Sequence, residues 1–203
     1  MTKVFKFATL PLLFTAAACS QATSEAEAVT TGAWSVDSDA SELAYVTIKQ
    51  GDIAEINSFE TVTGSISAEG AAQITVDLSS VSTGVDIRDE RMRDIFFVVA
   101  DNPTATISAT IDPAAFESLA VGESATTEVA GTVSIKGVEA PVFADVTVTR
   151  AGADRVLAVS DAPVIIDAGR FELTGGLAQL QELAGLDSIT PVVPVTFSLA
   201  FER

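Results

Sequence analysis

The chain has 203 residues, 48% of them hydrophobic and 19% charged, which supplies one ordinary domain with a core and excludes global disorder. Acidic residues outnumber basic ones 28 to 11, and the resulting formal charge of −17 repels phosphate backbones, so no nucleic-acid partner is expected. Histidine is absent and Cys19 is the single cysteine, which excludes histidine-based triads, His-ligated zinc, an intramolecular disulfide and thiolate metal clusters.

At the N-terminus, Lys3 and Lys6 precede an apolar run from Phe7 to Ala18. That run falls short of the about 20 residues that cross a bilayer and suits the hydrophobic stretch of a secretory signal peptide. Residues 1–18 are therefore expected to be removed; they hold two lysines and no acid, so the charge moves from −17 to −19. The stretch Ala16-Ala17-Ala18-Cys19 resembles a bacterial lipobox, with Ala16 where leucine is usual. The resemblance implies acylation of Cys19 and a membrane anchor. Ser20 in place of aspartate then implies delivery to the outer membrane on its periplasmic side. Ordinary cleavage after an A-x-A site is the alternative, and it would leave a soluble protein. Residues 19–32 are small, polar and acidic and read as a tether; residues 33–203 read as one domain.

From Trp34 onward the dominant period is two. Ala72, Ile74, Val76 and Leu78 alternate with polar residues, as do Ala105, Ile107, Ala109 and Ile111. Thr127, Val129, Gly131, Val133 and Ile135 form a third such face, and Val195, Phe197, Leu199 and Phe201 a fourth. This alternation predicts antiparallel strands with one apolar and one wet face. Further strands are expected near 43–49, 59–68, 141–150, 154–160 and 163–167, with glycine turns at Gly70, Gly137 and Gly152. About eight or nine strands with short connections fit a barrel or a two-sheet sandwich, and periodicity does not choose between them.

Two segments break the alternation. Asp86–Val98 carries Ile87, Met92, Ile95 and Phe96 at nearly helical spacing, with Asp89 and Arg93 placed for an i,i+4 pair. In Leu173–Leu186, the residues Leu173, Leu177, Leu180, Leu183 and Ala184 form one stripe, although Gly175-Gly176 weakens its start. No catalytic residue and no metal site emerge. The serines lack a base partner, and acidic pairs such as Asp37/Asp39 and Asp86/Asp89 read as solvated surface.

Thr83-Gly84, Arg88-Asp89, Phe96-Phe97 and Asn102-Pro103 follow one another in the order of the central signature of the YceI-like family, which this chain resembles. Trp34-Ser35-Val36-Asp37 resembles the family's opening strand, and residues 131–138 with Pro141-Val142 resemble its hairpin. Val192–Phe201 resembles its closing strand. Histidines that members often carry are replaced here by Ala40 or Gln50, by Arg91 and by Lys136, so their roles do not transfer. The resemblance implies an all-β, lipocalin-like antiparallel barrel of about eight strands with two short helices. It also implies an apolar interior that holds a long isoprenoid or similar amphiphile, in proteins that are secreted, periplasmic or lipid-anchored.

On that reading the cavity would be lined from alternating strand faces by Val62, Ile66, Ile74 and Val76, and by Ile107, Val129, Val133 and Val146. Phe197 and Leu199 of the last strand complete the lining, while Met92, Phe96 and Phe97 would cap one end. Arg88, Arg91 and Arg93 are candidates for contacting a polar or anionic head group. The same apolar residues would equally fill a solid barrel, and the arginines could instead pair with Asp89, Glu90 and Asp94 within the helix. The expectation is thus an envelope-attached, non-enzymatic carrier of an isoprenoid-type lipid or quinone, without a cofactor. A packed structural module of the envelope is the rival.

Overall fold

The computed structural model describes residues 32–203. The expected signal peptide, Cys19 and nearly all of the tether lie outside the described residues. The strands in chain order are β1 (Trp34–Lys49), β2 (Ile53–Phe59), β3 (Val62–Ile66), β4 (Ala71–Asp77) and β5 (Val81–Ser82). Helix α1 (Asp86–Arg91) then runs into a π-helical turn at Met92–Phe97. There follow β6 (Thr104–Thr110), β7 (Ser124–Ile135), β8 (Val138–Arg150), β9 (Arg155–Ser160) and β10 (Val164–Asp167). Helix α2 (Thr174–Ala184) and β11 (Val192–Glu202) complete the chain.

Eight of these strands form a closed antiparallel ring in the order β1-β3-β4-β6-β7-β8-β9-β11, and pairing of β11 with β1 shuts it. Closure excludes the sandwich and leaves the ring itself without an open edge. The long strand β1 makes this possible by serving two neighbourhoods. Trp34 and Ser35 pair with β3, whereas Leu43–Lys49 pair with β2. Between Asp37 and Glu42 its register with β11 shifts, and Ser41 Oγ fills the irregularity by donating to Asp37 O and accepting from Ala200 N. β5 extends β2, and β10 flanks the first half of β11, so the barrel is prolonged at the end where the helices sit.

The expected strand over 59–68 is two elements. The chain leaves β2 after Phe59 and re-enters the sheet at Val62, because it crosses from one half of β1 to the other. Val62 N marks the crossing with a bond to Ser38 Oγ at 3.4 Å. Strand β2 escapes the alternation rule for a definite reason: its polarity is inverted. Glu55 and the buried Asn57 face inward while Ile56 stands 79% exposed. The longest hairpin, β7–β8, pairs without interruption from Ser124↔Thr149 to Ile135↔Val138. Its two-residue turn holds Lys136 and Gly137 both at positive φ, 53° and 77°, the geometry whose twist matches the flanking strands.

The segment expected as one helix over 86–98 changes type at Met92. Its π turn ends on Val98 at φ 52°, a costly conformation for a β-branched residue. Asn102 holds it there, its Nδ2 donating to Phe97 O and Val98 O. Helix α2 packs on this turn where Gly176 lies: a Cβ there would stand 3.2 Å from Phe96 Cα. Of the glycine pair that weakens the helix signal, Gly176 is thus the one that lets the two segments approach; a Cβ on Gly175 would meet nothing within 4 Å. Leu183 leaves the expected stripe and is exposed, whereas Leu173, Leu177, Leu180 and Ala184 face the interior.

Candidate ligand-binding cavity

The inward faces of the strands do not meet. They leave two adjoining chambers, one of about 520 Å³ toward the helices and one of about 220 Å³ toward Trp34. Six residues border both: Leu43, Ile107, Ala109, Val129, Val146 and Phe197. They come from β1, β6, β7, β8 and β11, so the two chambers adjoin along this section of the barrel interior, or bore. Strand alternation explains the lining directly, since the inward faces of β1, β4, β6, β7, β8 and β11 pass from one chamber into the other. On β6, for example, Ala105 belongs to the wide chamber and Ile107 and Ala109 to both, and Ile111 just past its end belongs to the narrow one.

The two chambers differ in chemistry. The narrow one carries no charged side chain in its lining. The wide one carries Lys49, Glu55, Arg88 and Arg91 among apolar residues. It also reaches the surface, because Val85 and Ile87 line it and remain 44% and 52% exposed. The bore therefore has a narrow chamber without charged lining residues and a wider one with a polar mouth.

The polar group is built by a hydrogen-bonded knot. Thr83 donates to Asp89 Oδ1 from its backbone N at 2.8 Å and again from its hydroxyl. Arg88 then reaches back, with Nη2 on Thr83 O at 2.6 Å and Nη1 on Glu55 Oε2 at 2.8 Å. Glu55 Oε1 accepts from Lys49 Nζ, also at 2.8 Å. The hydrogen bond from Lys49, the bond from Arg88 and both positive charges hold the Glu55 carboxyl below the usual range, against the opposing effect of burial. The separated sequence signals Thr83, Arg88 and Asp89 are thus one structural unit.

Two buried donors in this region lack partners: the Tyr45 hydroxyl and Arg88 Nε. Tyr45 lines the wide chamber and is only 7% exposed. Burial pushes its hydroxyl far above the usual value, with the Asp89 charge adding to the shift and the Arg88 charge opposing it, so the phenol stays protonated. Its ring stacks on Phe59 at 5.4 Å, Phe59 meets Phe97 at 5.9 Å, and Phe97 meets Phe96 edge-on at 4.8 Å. A row of aromatic rings thereby supports the wall beneath the helices.

The structure places the expected lining residues as follows. Ile66, Ile74 and Leu199 border the narrow chamber; Val76, Val133, Met92, Phe96 and Phe97 border the wide one. Ile107, Val129, Val146 and Phe197 stand at the junction. Val62 borders neither and is packed into the wall at 2% exposure. Arg88 and Arg91 line the wide chamber and Arg93 does not. The in-helix pairing considered for the arginines is not what forms. Asp89 is engaged by Thr83, Arg88 pairs with Glu55 on β2, and Arg91 Nη1 donates to Leu183 O at 3.4 Å. Tyr45, Glu55 and Lys49 had no sequence signal as site residues, because they converge only through the β1–β2 pairing. Among the described residues no cluster of acidic, histidine or cysteine side chains could hold a metal ion.

Residues 34–201 match the model of the YceI-like domain. A polyisoprenoid binding domain from Saccharophagus degradans, implicated in plant cell wall breakdown, is 37% identical in sequence. The match covers 85% of this chain and 99% of that one, with a TM-score of 0.82. BcnA of Burkholderia cenocepacia shares the fold at 21% identity and a TM-score of 0.62, over 81% of this chain and 98% of its own. Comparison with the curated proteins gives no match.

Proposed function

Because the chain belongs to the YceI-like domain family, we propose that it is a non-catalytic binding protein that sequesters or carries a long isoprenoid-type lipid or quinone in its bore. One observation carries this reading: two adjoining, largely apolar chambers inside the barrel, with the charged lining residues confined to the wide one. A prenyl tail suits it because each buried methylene contributes about 0.8 kcal/mol and needs no directional partner. The name of the Saccharophagus domain supports the same class of guest.

The head group lies in the wide chamber. Its orphaned groups, Tyr45 hydroxyl and Arg88 Nε, are donors, so the head presents acceptor oxygens to them, as a quinone carbonyl or a phosphate does. Arg91 and Lys49 add further positive charges to the lining of the same chamber. Cleavage before Cys19, its acylation and anchoring to the periplasmic side of the outer membrane form the remainder of the proposal, which rests on the N-terminal sequence.

The test is organic extraction of the protein purified from its own membranes, followed by mass spectrometry. A prenyl lipid recovered in near-stoichiometric amount supports the carrier. A protein that yields none, and whose melting temperature neither a polyprenol nor a quinone raises, is not one. Radiolabelled palmitate incorporated by the wild type and lost in Cys19→Ala supports the anchor, while label retained in Cys19→Ala refutes it.

A further inference from the structure

We propose that the junction between the two chambers is a gate that selects guests by tail length, with Ala109 as its specificity-determining residue; the inference rests on the bore being a lipid seat. On one wall Leu43 and Phe197 are directly paired across β1 and β11, so two bulky side chains stand side by side. The facing wall is formed by β6, β7 and β8, which contribute Ile107, Ala109, Val129 and Val146. Ala109 is the smallest of the six junction residues, and its cross-strand partner on β7 is Gly131, which has no side chain at all. Clearance through the junction is therefore greatest along the Ala109–Gly131 line.

Beyond the junction, the narrow chamber offers a guest mostly apolar company, with Ser67 and Thr127 the polar exceptions. It runs to Trp34, Phe116 and Phe201, all buried, and holds no charged lining residue. A polar head placed there would lose its hydration without a charged partner, whereas the wide chamber supplies donors. Orientation follows: head at the helices, tail toward Trp34. A short tail is accommodated within the wide chamber and leaves the narrow one empty. A long tail must thread past Ala109, and it then gains the additional apolar burial. The protein discriminates in favour of long tails for that reason, and the discrimination is set where the two chambers share their lining.

Trp34 is the only tryptophan in the chain and it lines the narrow chamber, so its fluorescence reports filling of that chamber alone. The experiment titrates the purified protein with solanesol and with farnesol, which share an alcohol head and differ in tail length, following both Trp34 emission and melting temperature. In the wild type, solanesol is expected to change Trp34 emission, and farnesol to raise the melting temperature while leaving the emission unchanged. Ala109→Leu is expected to abolish the solanesol response of Trp34 and to weaken solanesol binding by about tenfold or more, leaving farnesol within about twofold. Val129→Phe, which fills the same junction from β7, provides an independent second variant, and circular dichroism establishes that each variant is folded. Folded variants that bind solanesol as the wild type does, with Trp34 still responding, overturn the gate while leaving the carrier intact. A wild type that binds neither alcohol nor a quinone overturns both.

Discussion

Arg88 on α1 and Glu55 on β2 meet at 2.8 Å across the mouth of the cavity, and Lys49 takes the other oxygen of the same carboxylate. One acid thus positions two cations in a protein whose net charge is −17. The pair joins the helical segment to the strand that extends the barrel, so its protonation state bears on how firmly the mouth is held.

Since the folded carboxyl of Glu55 lies below its usual value, its stabilising contribution is complete above the unfolded glutamate value of about 4.3. It fades as the pH falls through the lower folded value. Urea denaturation from pH 7 downward is therefore expected to show wild type more stable than Glu55→Gln at neutrality, with the two curves converging in acid. A difference that stays constant with pH would mean that Glu55 contributes through shape rather than charge.

Tyr45→Phe removes a buried hydroxyl that has no partner in the unliganded protein. An unsatisfied buried polar group costs about 1–3 kcal/mol, so the empty variant is expected to be as stable as wild type or more so by up to that amount. Binding of a quinone or prenyl phosphate should weaken by about threefold to tenfold, the equivalent of one hydrogen bond. Opposite signs in melting and in binding are the signature; a variant that loses stability and keeps affinity would remove Tyr45 from the site.

Phe171, between β10 and α2, is 2% exposed, lines neither chamber and packs with Val133, Ala140, Ala168 and Leu173. Phe171→Ala is expected to cost about 3–5 kcal/mol in chemical denaturation. Val129→Ala should cost less, because its side chain already faces open space in the bore. Equal losses at the two positions would indicate that the bore is collapsed in solution.

Arg150 is 3% exposed and braces the loop over the narrow end, with Nη1 on Leu119 O at 3.0 Å and Nε on Gly152 O at 3.3 Å. Its backbone joins the same loop through Gly122 and Glu123. Arg150→Met keeps the apolar stem and strands the carbonyls, for an expected loss of about 2–3 kcal/mol. Limited proteolysis should then cut within 113–123 faster than in wild type. Unchanged cleavage would show that the backbone bonds alone hold the loop.

The helical segment shows where local pattern stops being informative. Spacing at Ile87, Met92 and Phe96 identifies a helix, but the switch to a π turn depends on Asn102 reaching back and on α2 pressing at Gly176. Likewise the arginines are visible as a cluster, whereas their partners are not. Glu55 lies 33 residues from Arg88 in the chain, on a strand whose inverted polarity conceals it.

Outside β2, alternation of apolar and polar residues determined by itself which side chains face inward, since neighbours on a strand point to opposite sides whatever the strand later pairs with. The ordered motifs likewise determined the family. Closure through β1 and β11 came from tertiary structure alone, as did the junction at Ala109 and the meeting of Tyr45, Glu55 and Arg88. Those features depend on pairing between distant segments and on the volume that the paired walls fail to fill, and neither is a property of any local stretch of chain.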